Sequence, residues 1–125
     1  MTKQAVVSNN IAPAVGPFSP AIASGTMLYL SGQVGQDPAT GKLIEGDASA
    51  QTEQIIANLK AVLAAGGKSL AEVVRVGVYL TSMADYPAMN AVYGKHFQAP
   101  YPARSTICVA ALPLGAKVEI DLIAI

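Results

Sequence analysis

The stretch 73–97 switches its hydrophobic period once, from two to about 3.6 residues, and this switch constrains the fold more than any other feature of the chain. Over 73–81, Val74, Val76, Val78 and Leu80 alternate with Arg75, Gly77 and Tyr79, a β-branched pattern that predicts a central strand. Over 85–97, Tyr86, Met89, Tyr93 and Phe97 fall on one helical stripe, with Pro87 in the first turn. Another helix precedes the strand. It starts at Asp47, a residue suited to an N-cap, and runs to Ala65, with Ile55, Leu59, Val62 and Leu63 at i, i+4, i+7 and i+8 and Ile56 beside them. Gly66 and Gly67 stop it.

The remaining segments read as strands. Short β-type runs at 4–8, 21–23 and 27–31 suggest a small meander. Residues 104–111 and 117–125 flank a 112–116 turn containing Pro113 and Gly115, which suits a hairpin. The predicted order is β-β-β-α-β-α-β-β over one domain, 1–125, an α+β fold with two helices on one face of a mixed sheet.

Composition explains what the other sheet face requires. Only 13% of residues are charged, about half the usual share of a globular domain, so part of the surface is expected to be covered by another chain. Eight cationic residues balance eight anionic ones, with Arg75 and Arg104 the only arginines. Such a chain lacks the basic footprint that nucleic acid requires. The single Cys108 and single His96 provide neither a disulfide nor the start of a zinc site, so no structural metal is expected. No apolar run reaches the ~18 to 20 residues of a membrane span, and the first twenty residues lack a basic region followed by an apolar one. We read a protein of the cytoplasm without a membrane partner.

Candidate chemistry comes from alternation in the last two strands. Ser105, Ile107 and Val109 with Val118, Ile120, Leu122 and Ala124 form a set suited to lie under the helices, which leaves Arg104, Thr106, Cys108, Glu119 and Asp121 on the opposite face. This charged trio is either a solvated ion pair worth ~0 to 1 kcal/mol or a pocket formed where another subunit covers it. In the second case the arginine fork suits a substrate carboxylate, and a desolvated Glu119 suits acid–base work. Other motifs fail. Between Gly35 and Gly41 lie five residues where a P-loop needs four, and Leu43 stands where the magnesium-binding hydroxyl would be, so this is a turn. His96, at a helix end, reads as a surface residue rather than part of a serine triad, and Cys108 as a buried strand residue. The 16–20 run Gly-Pro-Phe-Ser-Pro fixes a loop that could aim Phe18 at a ligand, and Ser31-Gly32 end a strand with a hydroxyl and an amide free to approach one.

Taken together, GPFSPA (16–21), SGQVGQDPATGKL (31–43), VVRVGVYLTSMADYPAMNAVYGKHF (73–97), PARST (102–106) and KVEIDLIAI (117–125) resemble the RidA/YjgF family of reactive-intermediate deaminases. The resemblance covers essentially the whole chain. It implies a chorismate-mutase-like fold assembled as a homotrimer, whose sheets form a central barrel with clefts between subunits and no metal or organic cofactor. It also implies hydrolysis of 2-enamine and 2-imino acids to 2-oxo acids and ammonia, which protects pyridoxal-phosphate enzymes. By the same resemblance Arg104 holds the substrate carboxylate, Glu119 orients the attacking water, and the main-chain carbonyl of Thr106 helps hold it. Ser31 and Gly32 line the cleft, and Asn90 is contributed near it. The chain departs from the family at Phe18, where the usual residue is tyrosine, and at Pro20. A non-enzymatic trimer that binds small carboxylates as a regulator is the alternative expectation.

Overall fold

In the computed structural model, residues 2–125 are described. The chain runs β1 (Gln4–Val6), β2 (Ala21–Ser24), β3 (Met27–Gln33), α1 (Ala48–Ala65), β4 (Val73–Leu80), α2 (Tyr86–His96), β5 (Ala103–Cys108) and β6 (Val118–Ala124). Asp47 caps α1 by accepting from the Ala50 amide at 3.0 Å, and the Gly66 N–H closes the other end on the Val62 and Leu63 carbonyls. Both helices pack on the same sheet face, because Ile55, Ile56, Leu59 and Met89 share one core with Val76, Val78, Leu80, Ile120 and Leu122. Burying such side chains is worth ~1.5 to 3 kcal/mol each and dominates the stability of the layer.

The six strands form one mixed sheet in the order β1-β2-β3-β6-β4-β5. All neighbours are antiparallel except β4 and β5. α1 carries the chain from β3 to the parallel strand β4, and α2 from β4 to β5, two crossovers of the kind that parallel strands require.

This order overturns the expected terminal hairpin. β5 and β6 do not pair; β4 lies between them. The connection after Cys108 is long, with a 3-10 turn at Pro113–Gly115 and positive φ at Leu114 and Gly115. It carries β6 past β4 instead of folding it back on β5. The face assignment of β5 inverts as a result. Arg104, Thr106 and Cys108 align with Val76, Val78 and Leu80 on the helix side, whereas Ser105 and Ile107 align with Gly77 and Tyr79 on the open side. Ile107 is 50% exposed and Cys108 is exposed rather than buried. One further strand position also departs from simple alternation. The β4–β6 register shifts between Val73 and Arg75, so Val73 takes the buried position and Val74 faces solvent.

Candidate functional site

Glu119 sits in β6 on the sheet face turned away from the helices, directly opposite Tyr79 of β4. On its other side β3 is irregular: the register to β6 shifts between Leu30 and Gln33, a bulge that contains Ser31 and Gly32. Glu119 fills the space this bulge leaves. A Cβ at residue 32 would stand 2.5 Å from Glu119 Oε2 and 2.8 Å from its Cδ, so only glycine leaves the carboxylate where it is. Burial, and secondarily the Asp121 charge, raise the Glu119 carboxyl above its ordinary range. The Ser31 hydroxyl is not free for a ligand. It donates to the Ser19 carbonyl at 2.6 Å, and the Ser31 amide donates to Pro20 O at 3.0 Å. Ser31 therefore pins the 16–20 loop beside Glu119. Phe18, on that loop, is 55% exposed and lines a cavity with Val7, Ile11 and Pro38.

Arg104 belongs to a second cluster on the helix side. Its Nη2 donates to Tyr86 Oη at 3.0 Å, and its guanidinium lies 4.5 Å from the centroid of the Tyr93 ring. Both tyrosines come from α2, whose buried stripe holds them against β5. Sequence reasoning placed them in the core stripe and missed that they orient the arginine. Burial pushes the Tyr93 phenol up, against the opposing pull of Arg104. Beside Arg104, a cavity of about 320 Å³ is lined by Asn90, Tyr93, Gly94, Tyr101 and Pro102. Thr106, two residues along β5, is on the same side. Its Oγ1 and Tyr93 Oη are buried without a hydrogen-bond partner among the described residues.

The expected site residues thus fall into two groups, Ser31, Gly32 and Glu119 in one and Asn90, Arg104 and Thr106 in the other. Within one chain they do not meet. Glu119 and Arg104 stand on opposite faces and two strands apart, roughly 10 Å along the sheet. On the open face around Glu119, Tyr29 is 44% and Ile107 50% exposed.

Another cavity, of about 560 Å³, touches neither group. It lies near the C-terminal ends of the helices, with Lys60, Lys68 and His96 in its lining. Its cations have local partners. Lys68 is 3.9 Å from Glu72, and His96 links Glu53 at 2.6 Å to Lys60 at 3.2 Å. Positive charge at helix C-termini offsets the macrodipole, which accounts for these cations without a ligand. Among the described residues no three His, Cys, Asp or Glu side chains converge as metal ligands, and no helix is long and apolar enough to cross a membrane.

Comparison with known proteins agrees with this architecture. Protein DfrA of Myxococcus xanthus is 46% identical over 127 residues, covering 100% of this chain and 97% of that protein. Reactive Intermediate Deaminase A, chloroplastic, of Arabidopsis thaliana is 46% identical, covering 98% of this chain and 66% of that protein. The 2-iminobutanoate/2-iminopropanoate deaminase of Capra hircus is 40% identical, covering 96% and 88%. Among solved structures, RidA from Psychrobacter sp. PAMC 21119 superposes with a TM-score of 0.93 at 43% identity, over 97% of this chain and 98% of that one. E. coli TdcF with bound serine gives a TM-score of 0.90 at 33% identity, over 98% of each chain. The family sequence model described as Endoribonuclease L-PSP matches residues 8–125. With that match spanning nearly the whole chain and full-length relatives well above 30% identity, the chain belongs to the RidA/YjgF family.

Proposed function

We propose that the protein is a homotrimeric hydrolase of 2-imino acids, and of the 2-enamine acids that tautomerise to them, giving 2-oxo acids and ammonia. The observation that carries this reading is the separation of two prepared half-sites. Arg104 is oriented by Tyr86 and Tyr93, Glu119 is seated against Gly32, and the chain's own sheet stands between them. A clamp and a base that cannot reach one small molecule within a chain can do so where the Glu119 face of one copy meets the Arg104 cavity of the next. The apolar exposure at Tyr29 and Ile107 supports such burial. Names of relatives that act on 2-iminobutanoate and 2-iminopropanoate, and a neighbour that binds serine, support a small carboxylate ligand.

In this mechanism Arg104 pairs with the substrate carboxylate through two N–H···O bonds. Glu119, helped by the Thr106 carbonyl, holds a water against the imine carbon and takes its proton as the C–O bond forms. The C=N electron pair moves to nitrogen, which takes that proton back from Glu119; the carbinolamine hydroxyl then gives its proton through Glu119 to the same nitrogen, and as the C=O bond forms the C–N bond breaks and ammonia leaves. Water is the only co-reactant, and no metal or organic cofactor takes part in these steps. Asn90 borders the carboxylate end, while Phe18, carried on the loop that Ser31 pins, provides an aromatic wall. Phe18 lacks the phenolic hydroxyl usual there, a difference of ~0.5 to 1.5 kcal/mol in substrate orientation. We place the reaction in the cytoplasm, which suits the unpaired Cys108 thiol. We assign no nucleic-acid partner, because a formal net charge of zero supplies little phosphate affinity.

Subunit complementation tests the proposal. With a pyridoxal-phosphate dehydratase generating the imine, Arg104→Ala and Glu119→Ala should each abolish the acceleration of ammonia release. Trimers reassembled from an equal mixture of the two variants should regain about a quarter of the wild-type sites, since each site takes one residue from each of two copies. No recovery in stable mixed trimers would refute the shared site. Arg104-dependent binding of 2-oxobutanoate without turnover would identify a carboxylate-binding regulator instead.

A further inference from the structure

Glu119 does not stand alone on its face of the sheet. Tyr79 is its cross-strand partner, and Gly77 is the partner of Asp121, two residues along. Tyr79 Oη reaches diagonally past its own partner and donates to Asp121 Oδ2 at 2.9 Å. Gly77 makes room for this contact. A Cβ there would stand 2.5 Å from Asp121 Oδ1 and 2.9 Å from Tyr79 Oη, so the bond lies over a position that has no side chain. The Asp121 carboxylate is thereby drawn across toward β4.

We propose that Tyr79 and Asp121 are positioning residues for Glu119, a tethered second carboxylate whose fixed separation sets the pH at which Glu119 becomes a competent base. This rests on the reading of Glu119 as the residue that deprotonates water. The groups facing Glu119 can be named element by element. β6 brings Asp121 and, two residues before Glu119, Lys117. β4 brings Tyr79 and Arg75, the latter turned to donate to Ser105 Oγ at 2.9 Å. Ser31 and Gly32, its neighbours on β3, carry no titratable group. Of the groups on this face, only Asp121 contributes to the upward displacement of Glu119, second to burial. The same tether raises the Tyr79 phenol, chiefly through its bond to Asp121, so that hydroxyl keeps its proton and remains a donor.

Residues i and i+2 on one strand lie roughly 7 Å apart, where two like charges bias a protonation equilibrium about threefold with full water screening and more where burial weakens it. On the acid limb of the pH–rate profile, Asp121→Asn should therefore run at least about threefold faster than wild type, with the limb displaced to lower pH. Tyr79→Phe frees the carboxylate to swing toward Glu119 and should displace the limb to higher pH. The double variant should follow Asp121→Asn, because Tyr79 acts only through Asp121. The same titrations read from the ¹³C shift of the Glu119 carboxyl need no turnover. If Glu119→Gln keeps wild-type activity, the base reading fails while the carboxyl shifts still test the tether. Unmoved carboxyl titrations in folded Asp121→Asn and Tyr79→Phe, or displacements of the same sign in both, would overturn the proposal.

Discussion

Gly32→Ala should separate stability from activity, and its magnitude can be worked from the geometry. The new methyl would stand 2.5 Å from Glu119 Oε2, 2.8 Å from Cδ and 3.1 Å from Cγ. Ordinary van der Waals contact begins near 3.4 Å, so the carboxylate must retreat by roughly 1 Å, a misplacement that costs about 10²-fold in a positioned catalytic group. The fold itself loses little. The displaced atoms are the end of a flexible side chain, and Gly32 does not occupy the left-handed region. Alanine at a compatible glycine position stabilises by ~0.4 to 1 kcal/mol through the unfolded chain, so Tm should stay level or rise. The Arg104 clamp is untouched, and KM should change little while kcat falls about a hundredfold in the coupled ammonia-release assay. Gly66→Ala is the control. Its Cβ would lie 2.6 Å from Cδ2 of the buried Leu28, an overpacking worth ~1 to 3 kcal/mol that should lower Tm and leave kcat alone. A folded Gly32→Ala variant with kcat within threefold of wild type would refute the placement of Glu119.

Tyr86→Phe removes only the hydroxyl that accepts from Arg104 Nη2; a lost bond of ~0.5 to 1.5 kcal/mol should raise KM about two- to twelvefold with kcat nearly unchanged. Glu119→Gln should abolish turnover yet raise Tm at pH 8. Burial and then Asp121 raise this carboxyl in the folded state, so its ionisation opposes folding, and the advantage should fade as pH falls through the folded pKa and be gone below the unfolded one. Glu53 has the opposite sign. Hydrogen bonds from Lys95 and then His96 lower its pKa, so its contribution is present at neutral pH and lost on acidification through the folded pKa. The ion pair to Lys95 is exposed, so Glu53→Gln should cost at most ~1 kcal/mol at pH 7, and the gap in thermal melts should close in acid or 1 M salt.

Much of this fold is written in local pattern. The stripe of Ile55, Leu59, Val62 and Leu63 and that of Met89, Tyr93 and Phe97 are buried as their spacing requires, and Asp47 and Gly66 mark the ends of α1. β6, apolar at Val118, Ile120, Leu122 and Ala124, is likewise unambiguous. β5 is not, because neither alternate set in 103–108 is clearly apolar, and period two then fixes parity without saying which set faces the core. The Pro113 and Gly115 turn points to a local hairpin, yet β4 occupies the edge that such a hairpin would need. The contributions of Tyr86 and of Gly77 were invisible for a similar reason, since each depends on a partner more than fifteen residues away.

Alternation in a terminal hairpin would put Arg104 and Glu119 on one face, and the sheet order puts them on two. Alternation describes one chain. A site divided between copies needs its halves on surfaces that face different neighbours, and in a closed ring each copy offers one face to one neighbour and another face to the next. The opposite-face placement therefore fits the proposed cyclic assembly, in which the two residues would share a ligand across a seam between copies. The low charge fits the same requirement. In the proposed trimer, a chain that covers one sheet face with its own copies would have less solvent-facing surface to supply with Lys and Glu, and Glu119, Asp121 and Arg104 would lie near the seam, where desolvation would give them chemical work.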